Sequence, residues 1–447
     1  MIISLRFITN ENKIIKKGDV MNIKRKLVFL LSSSMLIINT GCEDDKATTD
    51  DKVVEITTPT TYTFNSRFVE GGNAVSYSGQ VVRNLLINDI KTQMGVDAGS
   101  KNPATLLSIM ANDNADSPIL SASGMTTVQT KYQDISSSQL NDRLTAVDTY
   151  TIPGYDANAT ALINGWVNEL AQTGKTRASG IRLDQITQKT LWGAVSYWQA
   201  TSKYMSKIPT DDNTVAVEGK TYTSMEHHWD ESFGYFGAAL DYNTAYVDDS
   251  DRKSDPYYDS NGDGKIDFKS EYNVGWAITA AKRDVCSGCD TNYDFTKTIF
   301  DAYLEGRTLI YNQADISEIL VQRDLIMNTW EKVVAAVSIH YVNDVADDIK
   351  ALIDAGTAIG PTDEAAADYE NHWGEMRGYA NGLIYNDFKK ISDANLNRIL
   401  AVMGTAPVYA ADGDFTAMTA YHTALTGEVR AIFKASYGFS DGNMTGW

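Results

Sequence analysis

Ten residues recur in this chain, and the recurrence constrains the fold more than any other feature. Glu226-His227-His228-Trp229-Asp230-Glu231-Ser232-Phe233-Gly234-Tyr235 returns as Glu370-Asn371-His372-Trp373-Gly374-Glu375-Met376-Arg377-Gly378-Tyr379. Six identities fall in register at one offset of 144 residues, and three of the five histidines lie inside the copies. On a helix, His228 and Glu231 stand three apart and Tyr235 four further on, so all three project from one side, as do His372, Glu375 and Tyr379. Trp229, Phe233, Phe236 and Leu240 make the adjoining apolar stripe. Gly234 and Gly378 are poor helix residues, and they read as points where a backbone or ligand approaches closely.

Helical periodicity runs through most of the remaining chain. Val82, Leu85, Leu86 and Ile90 share a face of a helix at about 78–94. Further helices are expected near 104–111, 157–172, 183–205, 224–241, 270–283, 293–312, 315–355, 361–386, 393–402 and 411–436. Pro209 lies beyond the 183–205 segment, and Thr362-Asp363-Glu364 after Pro361 marks a helix start. Alternating strand patterns are scarce, so the expected class is all-α. Ala194-Val195-Ser196 precedes His228 by 34 residues and Ala336-Val337-Ser338 precedes His372 by 36. Each half therefore reads as a long helix, a loop and a motif helix, which suits two related helical bundles facing each other. The expected division is a first half over 61–250, a loop insertion over 251–292 and a second half over 293–440.

The start of the chain reads as a targeting segment. Met21-Asn22-Ile23-Lys24-Arg25-Lys26 is a basic region, Leu27 to Ile38 is apolar, and Asn39-Thr40-Gly41-Cys42 follows. This pattern predicts a signal peptide within residues 1–41, with 1–20 as an upstream over-extension. Small residues before a cysteine resemble a bacterial lipobox, which makes Cys42 the lipidated residue. Asn39 stands where an aliphatic residue is usual. Residues 42–60, rich in Thr and Asp, read as a flexible tether. The expected location is the cell envelope, with an outer-membrane lipid anchor facing the periplasm or the surface. A net charge of -19 without clustered Lys or Arg argues against nucleic-acid binding. Cys286 and Cys289 are expected to form a local disulfide in an oxidising compartment. Two cysteines with no neighbouring histidine do not complete a zinc site.

A second motif runs from Asp259 through Asn261, Asp263, Gly264, Lys265, Ile266 and Asp267. Oxygen side chains at positions 1, 3, 5 and 9, glycine at 6 and Ile at 8 match the start of a calcium loop, with Lys265 at position 7. Ser270 stands at position 12, where a bidentate carboxylate normally closes the site, and Glu271 comes one residue late. The expectation is a dockerin-like or irregular Ca2+ loop that Glu271 or an outside ligand completes and that stiffens the insertion.

Imidazole with carboxylate suits iron, zinc or copper, and facing bundle helices are where such sites are built. The reading that competes is a hydrogen-bonded polar cluster in the bundle core. No Gly-x-Ser-x-Gly elbow, phosphate loop or His-Glu-x-x-His signature is present, so no motif argues for an enzyme.

The stretch Glu226 to Gly237 resembles the hallmark of domain-of-unknown-function family 4856. Gly275-Trp276-Ala277, Ala280 to Asp284, Glu305-Gly306-Arg307 and His372 to Tyr379 are also similar to that family. The resemblance covers about residues 60–440 and implies a bacterial secreted protein or lipoprotein without an established activity. More remotely, His-x-x-Glu on two bundles resembles the imelysin-like proteins, whose hallmark is Gly-x-His-x-x-Glu; Glu226 and Glu370 stand at the place of that glycine. This implies a ligand site at His228, Glu231, His372 and Glu375, with iron or haem acquisition as its purpose. Imelysin-like metallopeptidase activity is one alternative. The other is glycan or peptide capture in partnership with an outer-membrane transporter.

Overall fold

The computed structural model describes residues 55–242, 255–356 and 359–447. Cys42, the signal peptide and most of the tether lie outside the described residues. Ordered contact begins ahead of Tyr62: the Ile56 amide donates to Asn312 Oδ1 at 2.9 Å, and Asn312 Nδ2 returns a bond to the Ile56 carbonyl at 2.9 Å.

The class is all-α. Helices α1 (Ser78–Asp97), α2 (Ala104–Ala111), α3 (Asn141–Thr145) and α4 (Ala159–Thr173) lead to a long rod, α5. The rod is α-helical over Leu183–Leu191 and π-helical over Trp192–Tyr197 and Gln199–Met205. Then follow α6 (Ser224–Phe236), α7 (Trp276–Asp284), α8 (Phe295–Tyr311) and α9 (Ile316–Ala355). The chain ends in α10 (Ala367–Gly382), α11 (Asp393–Met403), α12 and α13 (Asp441–Gly446). Helix α12 spans Thr416–Ala424 and Arg430–Tyr437 with a π-turn, Leu425–Val429, between them. Among the described residues the β-structure consists of isolated bridges, and no helix is long and apolar enough to cross a membrane.

Local chemistry sets the ends where the periodicity overshoots. Helix α6 stops at Phe236, not near 241, because Gly237 takes a left-handed conformation (φ 81°) and its amide bonds the Phe233 carbonyl. Helix α7 starts at Trp276, after Gly275 at φ 62°. Helix α12 starts at Thr416 because Ala411 and Asp414 pair in a tight turn ahead of it.

One continuous core crosses both expected halves. The 40-residue helix α9 is its axis and packs against α8 and α10. Trp330 of α9 lies 5.7 Å from Tyr197, 5.2 Å from Phe236 and 6.2 Å from Trp276, ring centre to ring centre. Trp276 in turn meets Tyr379 at 6.0 Å. Aromatic rings from α5, α6, α7, α9 and α10 thus share one hub, and edge-to-face geometry adds to the large apolar area they bury. Helices α5 and α10 cross at Gly193 and Gly382, where a Cβ on Gly193 would lie 2.4 Å from the Gly382 Cα. Helix α5 therefore touches both motif helices: its first part packs on α10 and its last turns pack on α6. Cys286 and Cys289 are joined as a disulfide beyond α7, with Cα atoms 5.4 Å apart.

Candidate functional site

Helix α6 begins in a capping box that also builds an ion cluster. The Glu226 amide donates to Thr223 Oγ1 at 3.2 Å, and Glu226 Oε2 accepts from the Thr223 amide at 2.8 Å. The other Glu226 oxygen meets Arg307 Nη1 at 3.0 Å, while Asp230 Oδ1 accepts from Arg307 Nε at 3.0 Å and from the Tyr62 hydroxyl at 2.8 Å. All these groups are buried. Burial pushes the Asp230 carboxyl up to about 7 against the pull of Arg307. In the second copy Gly374 replaces Asp230, and Glu370 instead accepts from the Thr362 amide at 2.6 Å and the Tyr409 hydroxyl at 2.7 Å. This cluster is architecture, and it belongs to α6 alone.

The glycines shared by the two copies sit at tight crossings. A Cβ on Gly234 would come within 2.7 Å of Tyr77 Cβ, and one on Gly378 within 2.5 Å of Lys189 Cβ. Each glycine lets another helix of the protein approach. Trp229 and Trp373 are buried, with their indole nitrogens donating to the Tyr303 carbonyl at 3.0 Å and the Met403 carbonyl at 3.3 Å.

The histidine faces repeat in detail. His228 Nδ1 lies 2.7 Å from Asp211 Oδ2, and His372 Nδ1 lies 2.8 Å from Asp348 Oδ2. The Tyr204 ring stands 5.7 Å from His228 and 6.2 Å from Tyr235; the Tyr341 ring stands 6.2 Å from His372 and 5.6 Å from Tyr379. Tyr341 donates its hydroxyl to Glu375 Oε1 at 3.0 Å, and burial, with Glu231 adding to the electrostatic environment, raises the Tyr204 pKa. Both copies are therefore Tyr-Asp-His-Glu-Tyr clusters. Tyr204 and Asp211 were not singled out by sequence, nor were Tyr341 and Asp348. Their signal is present: a tyrosine seven residues ahead of an aspartate, repeated at one offset of 137. The matched Ala-Val-Ser segments, by contrast, do different jobs, Ser196 bonding Asn84 Oδ1 at 2.7 Å and Ser338 the Val334 carbonyl at 2.8 Å.

The copies differ at the outer nitrogen. His228 Nε2 lies 3.0 Å from Lys207 Nζ, so its lone pair accepts from an ammonium. His372 has no such cation among the described residues and keeps Nε2 unbonded. Asp348 raises the His372 pKa above its ordinary value through this hydrogen bond, more than burial lowers it. The glutamates are both occupied. Gln80 Nε2 donates to Glu231 Oε1 at 2.8 Å, and Glu375 receives Tyr341, Asn371 Nδ2 at 3.1 Å and Lys189 Nζ at 3.4 Å.

Nor do the two faces converge. Glu375 meets Lys189 and His228 stacks near Tyr204, fifteen residues further along α5, which is about 20 Å on one helical rod. Among the described residues, no three or more His, Cys, Asp or Glu side chains gather as they do around a metal ion.

The 259–271 loop closes on itself. Asp259 accepts the amides of Gly262 at 2.8 Å, Asp263 at 3.2 Å and Gly264 at 2.8 Å. Asn261 Oδ1 takes the Asp263 amide and Asp263 Oδ1 the Lys265 amide, each at 2.8 Å. Asp267 Oδ1 accepts from Gln129 Nε2 at 2.8 Å. Glu271, buried, spends both oxygens on the amides of Ser260 at 3.1 Å, Asn261 at 3.3 Å and Asp267 at 2.9 Å.

Residues 59–367, more than half of the sequence, match the family described as a domain of unknown function, DUF4856. The chain belongs to this family. No curated protein and no solved structure gives a match. The DUF4856 match covers α1 to α9, including the His228 face, Arg307 and Asp348, and it ends at Ala367, just before His372.

Proposed function

We propose that the protein is a non-enzymatic, lipid-anchored cell-envelope protein that captures a ligand, with haem as its cargo and His372 as the residue that would hold it. One observation carries this reading: His372 is backed by Asp348 at Nδ1 and holds Nε2 free. A carboxylate on the far nitrogen fixes the tautomer and makes the imidazole a better donor, which is how metal-bound histidines are usually supported. Haem needs only one such ligand from the protein. A bare iron centre, or the zinc of a metallopeptidase, needs several converging donors, whereas Glu375 is committed to Tyr341 and Lys189 and Glu231 to Gln80. His228, capped by Lys207, is the internal control. The test is haem titration of the full chain beside its His372→Ala and His228→Ala variants; an unchanged haem spectrum would end the proposal.

Calcium at the 259–271 loop is a second proposal, with a structural role. Gly264 stands at φ 78° with its amide on Asp259, the turn that a calcium loop uses at its sixth position. Asp259, Asn261 and Asp263 would supply side-chain oxygens and Lys265 its carbonyl. Glu271 would remain the clamp on the loop's amides.

A further inference from the structure

A cavity of about 480 Å³ opens between the end of α7 and the middle of α9, closed off by the segment around Trp447. Arg283 lines it from α7, and His340, Asp344 and Asp347 line it from one stripe of α9. The Nε of Arg283 is sealed from solvent with no hydrogen-bond partner, and burial lowers the pKa of the guanidinium. Arg307 has two carboxylates as partners, and Arg377, whose Nε and Nη1 are likewise unbonded, has the Pro153 carbonyl and the face of Tyr155 at 5.3 Å. Arg283 forms no ion pair among the described residues. Placing a guanidinium at a cavity wall without a partner is costly unless something arrives to meet it.

The opposite wall is acidic. Asp344 lies 3.3 Å from His340 Nε2, and burial pushes that histidine down to about 3, so it stays neutral near pH 7. Asp344 faces the charges of His372, Asp348, Arg283 and Glu375, and Asp347 feels Arg430 of α12. Asn343 is fixed between them, donating to the Trp447 carbonyl at 2.7 Å and accepting from Arg430 Nε at 2.9 Å. Lys282 and Arg283 on one side and the two carboxylates on the other thus line a space that one small molecule would fill. Ala281, Val285 and Trp447 add an apolar wall.

We propose that this cavity binds a free α-amino acid with an apolar side chain, its carboxylate on Arg283 and its ammonium on Asp344 and Asp347. A bidentate guanidinium–carboxylate pair gives the orientation, and the acidic stripe selects against simple anions. The inference goes beyond the haem reading and stands or falls without it.

The experiment is calorimetric titration of the full chain with leucine, methionine and phenylalanine, and with their N-acetyl and amide derivatives. At least one free amino acid should bind saturably, with each blocked form at least tenfold weaker. Arg283→Met should abolish binding and leave the haem spectrum unchanged. Val285→Trp, a change at an exposed rim position, should also abolish binding by filling the mouth, which covers the case in which Arg283→Met does not fold. No saturable binding of any of the three, or N-acetyl derivatives that bind as tightly as the free acids, would overturn the proposal.

Discussion

Lys207 holds its ammonium 3.0 Å from Nε2 of His228, and this contact separates two otherwise matching histidine clusters. With Asp211 on one nitrogen and Lys207 on the other, the His228 ring has no lone pair to offer. His372 retains one. Diethyl pyrocarbonate, which acylates an unprotonated imidazole nitrogen, should therefore modify His372 well ahead of His228. Lys207→Ala should bring His228 up to a rate within a few fold of His372. Peptide mapping after timed exposure checks this, and equal rates in the parent protein would contradict it.

Asp348 is what raises the His372 pKa. Asp348→Asn should lower it, as followed by the ring-proton chemical shifts. A histidine whose folded pKa exceeds its unfolded value of about 6.5 adds stability that is complete below that value and lost as pH rises through the folded pKa. Denaturant unfolding across that window should thus show stability falling with pH in the parent, and the His372 part of that slope should vanish in Asp348→Asn.

The Arg307 cluster carries the larger structural stake. Arg307→Met would leave Glu226 and Asp230 buried without their cation, at a cost of about 3–5 kcal/mol. Asp230 has the opposite sign from a surface carboxylate. Its folded pKa, about 7, lies above the unfolded one, so its contribution is full at low pH and is lost as pH rises toward 7. Asp230→Asn should flatten the pH dependence of unfolding between about 4 and 7. An unchanged slope would remove Asp230 from this account.

Calcium should raise the melting temperature of the full chain. At a hundredfold excess over Kd the linkage is worth about 2.7 kcal/mol. Asp263→Asn preserves the side-chain oxygen that holds the Lys265 amide and removes a charge from the loop, so it should abolish most of the shift. No shift in millimolar calcium would show that the backbone bonds of Asp259 and Glu271 suffice by themselves.

The helical class was legible because the apolar period of the long segments is strong. The 183–205, 293–312 and 315–355 stretches appear within a residue or two. Ends were missed where one glycine decides them, as at Gly237 and Gly275, since a positive φ leaves no trace in periodicity. Helix α3 and the terminal helix α13, at five and six residues, are too short to show a period. The paired His and Glu positions were legible as a face, but their partners were not. Tyr204 and Tyr341 come from preceding helices, and Asp211 sits in a turn, so their convergence is tertiary. Lys207 carried no motif at all, yet it decides which histidine is free. Arg283 stood in a recognised stretch, and only the packing of α7 on α9 distinguishes it from the ion-paired Arg307.

The most direct test of the central claim is absorption-monitored titration of haem into the full chain and its two histidine variants. The account predicts a saturable shift of the haem band that His228→Ala leaves within twofold of the parent and His372→Ala abolishes. Equal loss in both variants, or no saturable shift in the parent, would contradict it.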